Sequence, residues 1–320
     1  MKRKFLLTIF LSVTSLSVWA EIVTDGTLGQ KLNLSGPDFQ ITPDLGQQHG
    51  GNLFHSFQDF NLNSLESATF SGPNSVNSII SRVTGGNPSL IDGLIRSTIP
   101  NADMYFLNPY GIMFGPNAQL DVQGSFHTST ADYLKLGEDG RFDARNPSDS
   151  LLTVAPVSAF GFLTDNPAPI TIDNSKLSVP DGKTFSLVSG DLDIKGDDFF
   201  YYVDWFFRPF EVVIEDEKSS IIKAKGGNIN LVSLSTKGEI TDFNPEKNMK
   251  GGDITIHNSH IDVSSEGGTH IFIYGSDINI INSGINSIVY GEVDDTKIDI
   301  HADNLTFKDS SVMVAASTNG

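Results

Sequence analysis

A repeated alternation of apolar and polar residues in the second half of the chain constrains its fold more than any other feature. Four segments carry it: Gly226–Val232, Gly251–His257, His270–Tyr274 and Lys297–His301. The period of two is typical of a strand with one buried face. Successive strands begin 25, 17 and 27 residues apart, so the segments form a loose repeat.

A repeat of this length built only from strands and turns predicts a solenoid. One strand–turn unit cannot bury its apolar face alone, but units stacked about 4.8 Å apart can. Gly, Asn and Asp between the strands favour left-handed corners. We therefore predict an all-β parallel β-helix. The alternative is a β-sandwich, which would need hairpin turns such as Asn-Gly, and the second half of the chain offers few of them.

The absence of cysteine limits how the chain can be stabilised. None of its 320 residues is cysteine, which excludes disulfides, thiol catalysis and thiolate metal sites. Stability must therefore come from a long apolar core and from backbone hydrogen bonds between strands.

The N-terminus has the three parts of a secretory signal peptide. Lys2, Arg3 and Lys4 precede the apolar run Phe5–Val18, and Ala20 ends a small-x-small site before Glu21. We predict cleavage between Ala20 and Glu21. The alternative is a membrane anchor, but the run is shorter than the ~20 apolar residues that a span needs. No later segment is long and apolar enough, so we expect no stable membrane span.

The charge of the chain argues against nucleic acid as a partner. The net charge of −18 becomes −21 once a leader with three basic residues and no acidic residue is removed. An acidic surface repels phosphate backbones and favours solubility.

The segment Asn108–Gly111 predicts a tight corner between two strands. Asn at the first position, Pro at the second and Gly at the fourth suit a type I turn. Ile112 then begins the next strand. A second candidate corner contains Asn87 and Pro88.

Four motifs in series resemble the N-terminal two-partner-secretion domain of filamentous haemagglutinins. They are Gly51–Asn61, Val83–Gly93, Asn108–Gly115, which resembles the Asn-Pro-Asn-Gly-Ile signature, and Gly124–Ser129. The resemblance covers residues 22–162. Tyr110 replaces the second Asn of the signature, and Gly72–Val76 stands where the family has Asn-Pro-Asn-Leu.

The resemblance implies a right-handed parallel β-helix with an N-terminal cap and extrahelical hairpins or loops. It also implies a cognate outer-membrane TpsB-type transporter, whose periplasmic POTRA domains bind the unfolded N-terminal segment. The implied secretion and transporter-recognition residues are Asn87, Pro88, Asn108, Pro109, Tyr110, Gly111 and Ile112. The implied location is outside a Gram-negative-type bacterium, secreted or on the cell surface, reached through the periplasm.

These observations divide the chain into three parts. Residues 1–20 are the signal peptide, and residues 21–162 are the secretion (haemagglutination activity) domain with its cap and first rungs. Residues 163–320 continue the β-helix, with an aromatic insertion near 197–212 and an end in mid-pattern that suggests truncation. We expect the aromatic-rich segment around Gly50–Leu62 to form the cap, because a solenoid must cover its first strand edge.

Few residues suggest catalysis, and we predict neither a cofactor nor a metal. His257 and His260 are three apart, but in a strand followed by a turn rather than on a helix. Three carboxylate clusters, Asp197–Asp198, Glu215–Glu217 and Asp294–Asp295, leave surface calcium open, although the Gly-Gly-x-Gly-x-Asp repeat is absent. The aromatic run Phe199–Phe210 is interpreted as an extrahelical hairpin or loop, or else as an exposed partner-binding patch.

The sequence therefore predicts a non-enzymatic, adhesin-type exoprotein of the filamentous-haemagglutinin type. A host or cell-surface receptor or glycan would be its second partner. The alternative is a secreted β-helical carbohydrate-active enzyme of the polysaccharide lyase or hydrolase type.

Overall fold

The described residues form a parallel β-helix with three faces, in which eight rungs stack along one axis. The computed structural model describes residues 21–198, 201–203, 212–214, 219–289 and 296–316. Strands are numbered in chain order, and a rung is one turn of the solenoid around the three faces.

Face 1 is the longest sheet and holds one parallel strand from every rung. These strands are β4 (Asn52–Phe60), β6 (Ser78–Val83), β9 (Asp103–Leu107), β12 (Phe126–Ser129), β18 (Phe185–Ser189), β23 (Asn228–Ser233), β28 (Thr269–Tyr274) and β31 (Thr296–His301). Two further strands, β1 (Ile22–Thr24) and β3 (Gly46–His49), pair antiparallel with β4.

Faces 2 and 3 complete the rungs, except that rung 1 has only an isolated bridge, Leu62–Ile91, on face 2, and that β2 of face 3 precedes rung 1. Face 2 consists of β7 (Ser89–Ile91), β10 (Ile112–Phe114), β16 (Ile170–Asp173), β19 (Leu192–Lys195), β26 (Ile254–His257), β29 (Asp277–Ile281) and β32 (Asn304–Lys308). Face 3 begins with β2 (Asp38–Ile41), β5 (Ser67–Phe70), β8 (Leu94–Ser97) and β11 (Gln119–Asp121). It continues with β17 (Lys176–Ser178), β22 (Ser220–Lys223), β27 (Ser259–Asp262), β30 (Gly284–Val289) and β33 (Ser311–Ala316).

The rungs stack in register, so each inward-pointing position forms a column. On face 1, Ile229, Ile271 and Ile298 are direct partners in three successive rungs. On face 2, Ile256, Ile280 and Phe307 form a similar column. A slip of one residue would move every isoleucine to the outside, which is why the alternating pattern specifies this register.

The first rungs have an aromatic interior, unlike the isoleucine columns further along. Phe57, Phe60, Phe70 and Phe106 are all buried, and the rings of Phe60 and Phe106 meet edge to face with centroids 4.9 Å apart. Such pairs contribute about 0.5–1.5 kcal/mol beyond burial alone.

An outer sheet covers part of the exterior of face 1. It consists of β13 (Tyr133–Leu136), β14 (Gly140–Asp143), β15 (Val157–Phe162), β24 (Gly238–Thr241) and β25 (Asn244–Pro245), all paired antiparallel. The first three strands leave the helix in rung 4 and the last two in rung 6. Between the outer sheet and face 1 lies a second apolar core that includes Phe54, Leu107, Leu134 and Phe142.

Left-handed corners recur where the chain passes from face 2 to face 3. Asn174, Asn258, Asn282 and Asp309 have φ of 54°, 49°, 45° and 50°, and each is followed by serine. Asn and Asp tolerate this conformation better than other residues with a Cβ. In rung 5, β20 (Tyr201–Val203) and β21 (Val212–Ile214) form an antiparallel pair where this corner would be.

The structure confirms the all-β parallel helix and excludes the sandwich, because the strands of the three faces pair in parallel with their neighbours in adjacent rungs. The predicted position of the cap is wrong. Asn52–Phe60 forms the first rung itself, and the preceding strands β1 and β3, with a 3₁₀ turn at Pro43–Leu45, cover its open edge. Among the described residues, no helix has the length and hydropathy required to cross a membrane.

Candidate functional site

The predicted corner Asn108–Gly111 joins β9 on face 1 to β10 on face 2. The Gly111 amide donates to the Asn108 carbonyl oxygen over 3.2 Å, which closes the four-residue turn. Gly111 has φ of +115°, a conformation that residues with a Cβ rarely adopt.

The Asn108 side chain is fully buried and all its hydrogen bonds stay within the corner. Its amide nitrogen donates to the Asn87 carbonyl oxygen and to Ser89 Oγ, both over 3.0 Å. Its Oδ1 accepts from the Tyr110 amide, also over 3.0 Å. Asn108 therefore fixes its own turn and joins rung 3 to rung 2.

Asn87 and Pro88 lie at the same corner one rung earlier. Both are exposed, and the side-chain amide nitrogen of Asn87 donates to Asp59 Oδ1 over 2.8 Å. The structure thus brings all seven predicted recognition residues together. Only Asn87 and Pro88 are exposed and Tyr110 half-buried, whereas Asn108, Pro109, Gly111 and Ile112 are buried.

Arg145, two residues after β14 of the outer sheet, packs against this corner, a contact that the sequence did not predict. The Arg145 guanidinium lies over the Tyr110 ring, 5.1 Å from its centroid, and donates to the Pro109 carbonyl oxygen over 3.4 Å. The same guanidinium forms an ion pair with the buried Asp132 carboxylate. Tyr110, where the family signature has Asn, thus provides an aromatic face for a cation.

A second missed residue, Arg82, is buried at the junction of the cap, the first rungs and the outer sheet. Its guanidinium donates to Ser56 Oγ over 2.7 Å, to Thr27 Oγ1 over 2.9 Å and to Ser150 Oγ over 2.7 Å. It also donates to the Asp143 carbonyl oxygen and lies 4.2 Å from the Phe142 ring centroid. Burial lowers the pKa of Arg82 to about 10, which leaves it charged at neutral pH.

His55 and His127 are buried as neutral rings. Removal from water lowers the pKa values of His55 and His127 to about 4. Neither nitrogen of His55 has a hydrogen-bond partner, and the ring lies edge-on to Phe70 with centroids 5.6 Å apart. His127 Nδ1 lies 3.0 Å from Ser186 Oγ.

The remaining predicted residues do not form a catalytic constellation. His257 lies on β26 of face 2 and His260 on β27 of face 3, so they point from different sheets. Across the part of the chain that the structure describes, no three His, Asp or Glu side chains are grouped to hold a metal. Ala20, Glu215–Glu217, Asp294–Asp295 and most of the aromatic run lie outside the described residues, while Glu21 is exposed.

One known protein family matches most of the chain. A family model described as the TPS secretion domain matches residues 20–284. The heme/hemopexin-binding protein of Haemophilus influenzae is 31% identical over 84 residues, a match that spans 26% of this chain and only 9% of that protein. The crystal structure of the HMW1 secretion domain from Haemophilus influenzae aligns over 94% of this chain and 97% of its own, with 17% identity and a TM-score of 0.35.

Proposed function

The chain belongs to the TPS secretion domain family, and from this membership we propose that its N-terminal region directs export through a cognate outer-membrane TpsB-type transporter. The family consists of secretion domains of two-partner-secretion (TpsA-type) exoproteins rather than of enzymes. We propose residues 21–162 as the secretion domain, with a signal peptide cleaved between Ala20 and Glu21. The periplasmic POTRA domains of the partner would bind the chain before it folds.

The burial of Asn108 indicates that the transporter recognises this residue before the domain folds. Its amide has no solvent-accessible surface in the folded domain, and its three hydrogen bonds are internal. A transporter that reads Asn108 must therefore read it in the unfolded chain. Once outside, the same side chain closes its own corner in rung 3 and joins it to rung 2, so one residue serves export first and folding afterwards.

We propose that folding outside the cell makes export irreversible. Each rung that stacks on the previous one buries apolar area and removes extended chain from the pore. The absence of cysteine suits this route, because the chain can pass through a narrow pore without cross-links. The exported protein acts at the cell surface or after release, in an adhesin-type and non-enzymatic role.

The experiment is co-expression of the full chain with its cognate barrel, followed by quantification of the protein in the supernatant. Deleting the barrel should abolish release, and Asn108→Ala should reduce it several-fold. Asn304→Ala is the matched control, because Asn304 is an exposed asparagine on face 2 of the last rung.

Binding of the unfolded segment separates recognition from folding. A synthetic peptide of residues 100–116 should bind the isolated POTRA domains, and the Asn108→Ala peptide should bind more weakly. Undiminished release without the barrel would overturn the proposal. Equal binding of the two peptides would restrict Asn108 to folding.

A further inference from the structure

A polar groove with aromatic rings lies on the outside of face 1, where the outer sheet no longer covers it. It has a volume of about 500 Å³, within the ~300–1,000 Å³ range of small-ligand sites. Its floor is formed by β23, β28 and β31 of rungs 6–8, and its wall by the turn between β24 and β25. We refer to it as the rung 6–8 groove.

Register places the floor residues in rows across the rungs. Asn230, Phe272 and Asp299 are direct partners in one row, and Asn228, His270 and Lys297 form the adjacent row. Phe272 is 9% exposed and lies beside the His301 ring, with centroids 5.4 Å apart. The floor therefore combines a flat apolar patch with donors and acceptors on either side of it.

The wall is held by strained backbone. Asp242 and Phe243 have φ of +49° and +60°, as the two central residues of a two-residue hairpin turn. Such turns strongly favour Asn-Gly, and a bulky aromatic residue at positive φ is strained. The strain places the Phe243 ring against His127, with centroids 5.8 Å apart, at the edge of the groove. Conformational strain of this kind is concentrated at ligand-binding and catalytic sites.

The polar groups of the groove retain unused hydrogen-bonding capacity. His270 Nε2 and Lys297 Nζ both approach Asp299 Oδ2, at 3.1 and 2.5 Å, which leaves Oδ1 free of these two donors. The nearly buried Asn230 uses its amide nitrogen in a 3.2 Å bond to Ser186 Oγ, a bond that does not involve its Oδ1. Each of these oxygens can accept a further hydrogen bond from a ligand hydroxyl.

The chemistry of the lining excludes several classes of ligand. Two of the three floor strands, β23 and β28, are paired on both sides, so a peptide cannot add a strand between them. Lys297 is already paired with Asp299, and Asp242 adds negative charge, which disfavours anions. A purely apolar ligand would leave the carboxylate and the carboxamides without partners.

We propose that the rung 6–8 groove binds a neutral saccharide, with a sugar ring stacked on Phe272 or Phe243 and its hydroxyls bound by Asn230 and Asp299. This proposal deepens the adhesin-type role proposed above, whereas export does not depend on it. The hydrogen bond from Lys297 holds the pKa of Asp299 below its ordinary value, so this carboxylate is an acceptor at neutral pH and not a general acid. We expect the groove to bind a glycan without cleaving it.

The test uses residues 21–320 purified from culture supernatant and a printed array of neutral and acidic oligosaccharides. Any neutral oligosaccharide that binds is then titrated by calorimetry. Asp299→Asn should weaken its binding about tenfold or more, and Phe243→Ala should also weaken it. Asp193→Asn is the matched control, because Asp193 is a partly exposed carboxylate on face 2, away from the groove.

Two further measurements make the outcome decisive. Thermal unfolding of each variant separates loss of the groove from loss of the fold, and Asp299→Asn should be secreted normally while Asn108→Ala is not. The proposal is overturned if no neutral oligosaccharide binds, if only acidic ones bind, if Asp299→Asn binds as the unchanged protein does, or if bound glycan is cleaved.

Discussion

The two ends of the β-helix achieve stability in different ways. Rungs 1–4 are joined to a cap and an outer sheet by specific long-range contacts, such as those of Arg82 and the 2.7 Å hydrogen bond from the Asn52 amide to the Ala155 carbonyl oxygen. Rungs 6–8 rely instead on repetition, with isoleucine columns and Asn-Ser or Asp-Ser corners stacked in register. The N-terminal region therefore depends on individual residues, whereas the C-terminal region distributes its stability over similar units.

The largest expected effect on the free energy of unfolding comes from Arg82, in the N-terminal region. Arg82→Met keeps the apolar stem but leaves Ser56, Thr27, Ser150 and the Asp143 carbonyl without their common donor. We expect a loss of about 3–5 kcal/mol in the free energy of unfolding, measured by urea denaturation. Arg96→Met is the control, because the exposed Arg96–Asp121 pair of 2.7 Å should contribute less than about 1 kcal/mol. Equal losses of stability in the two variants would show that the buried contacts of Arg82 do not stabilise the N-terminal region.

Acid should destabilise the folded protein because His55, buried in the first rung, is neutral there. Its pKa of about 4 lies below the ordinary 6.5, so the unfolded chain binds the proton more readily than the folded one. The stability that depends on the neutral ring is complete above pH 6.5 and is lost as the pH falls towards 4. Going from pH 7.5 to 4.5 should lower the free energy of unfolding by about 2–3 kcal/mol through this residue.

His55→Leu isolates this contribution. Over the same pH interval, the free energy of unfolding of the variant should fall by about 2–3 kcal/mol less than that of the unchanged protein, as measured by urea denaturation at each pH. An identical pH profile for His55→Leu would show that this ring does not titrate on unfolding.

The corner residue Asn108 should have an intermediate effect. Asn108→Ala leaves the Tyr110 amide, the Asn87 carbonyl and Ser89 Oγ without a buried partner, and we expect a loss of about 2 kcal/mol. Chemical denaturation of the purified variant measures it independently of export. A change within ~0.5 kcal/mol would mean that water replaces these bonds.

The smallest effect is expected at a repeated corner of the C-terminal region. Asn282→Gly removes a 2.7 Å hydrogen bond to Asn258 Oδ1, but it also relieves the left-handed conformation at φ of 45°. The two effects oppose each other, so the free energy of unfolding should change by less than ~1 kcal/mol. A loss as large as that of Asn108→Ala would contradict the contrast between the two regions.

The same contrast explains what the sequence could predict. Alternating isoleucines and glycine-rich turns are local signals, and they predicted the solenoid and its strands around Asn228, Asp253, His270 and Lys297. The Asn108 corner was also predicted, because its turn chemistry lies within four consecutive residues. The family motifs added the secretion domain.

Contacts between distant segments could not be predicted in this way. The pairing of Phe160 with Ile240 spans eighty residues, and its strands look like any other short apolar run. Arg82 gave no signal either, because an arginine in a strand predicts a solvated face rather than a buried centre. The cap was misplaced for the same reason. An aromatic segment such as Asn52–Phe60 suits a cap as well as a first rung, and only its pairing with neighbouring strands distinguishes the two.

The antiparallel contact between β15 and β24 has a mechanical consequence. A chain pulled from its C-terminal side would lose rungs 8 and 7 one after another, each by the rupture of a few strand hydrogen bonds. At Gly238–Thr241 the load would reach a strand bonded to Ala159–Phe162, next to the core of rung 4. We expect the pairing of β15 with β24 to stop this stepwise unfolding, so that the N-terminal region unfolds under tension as a single unit.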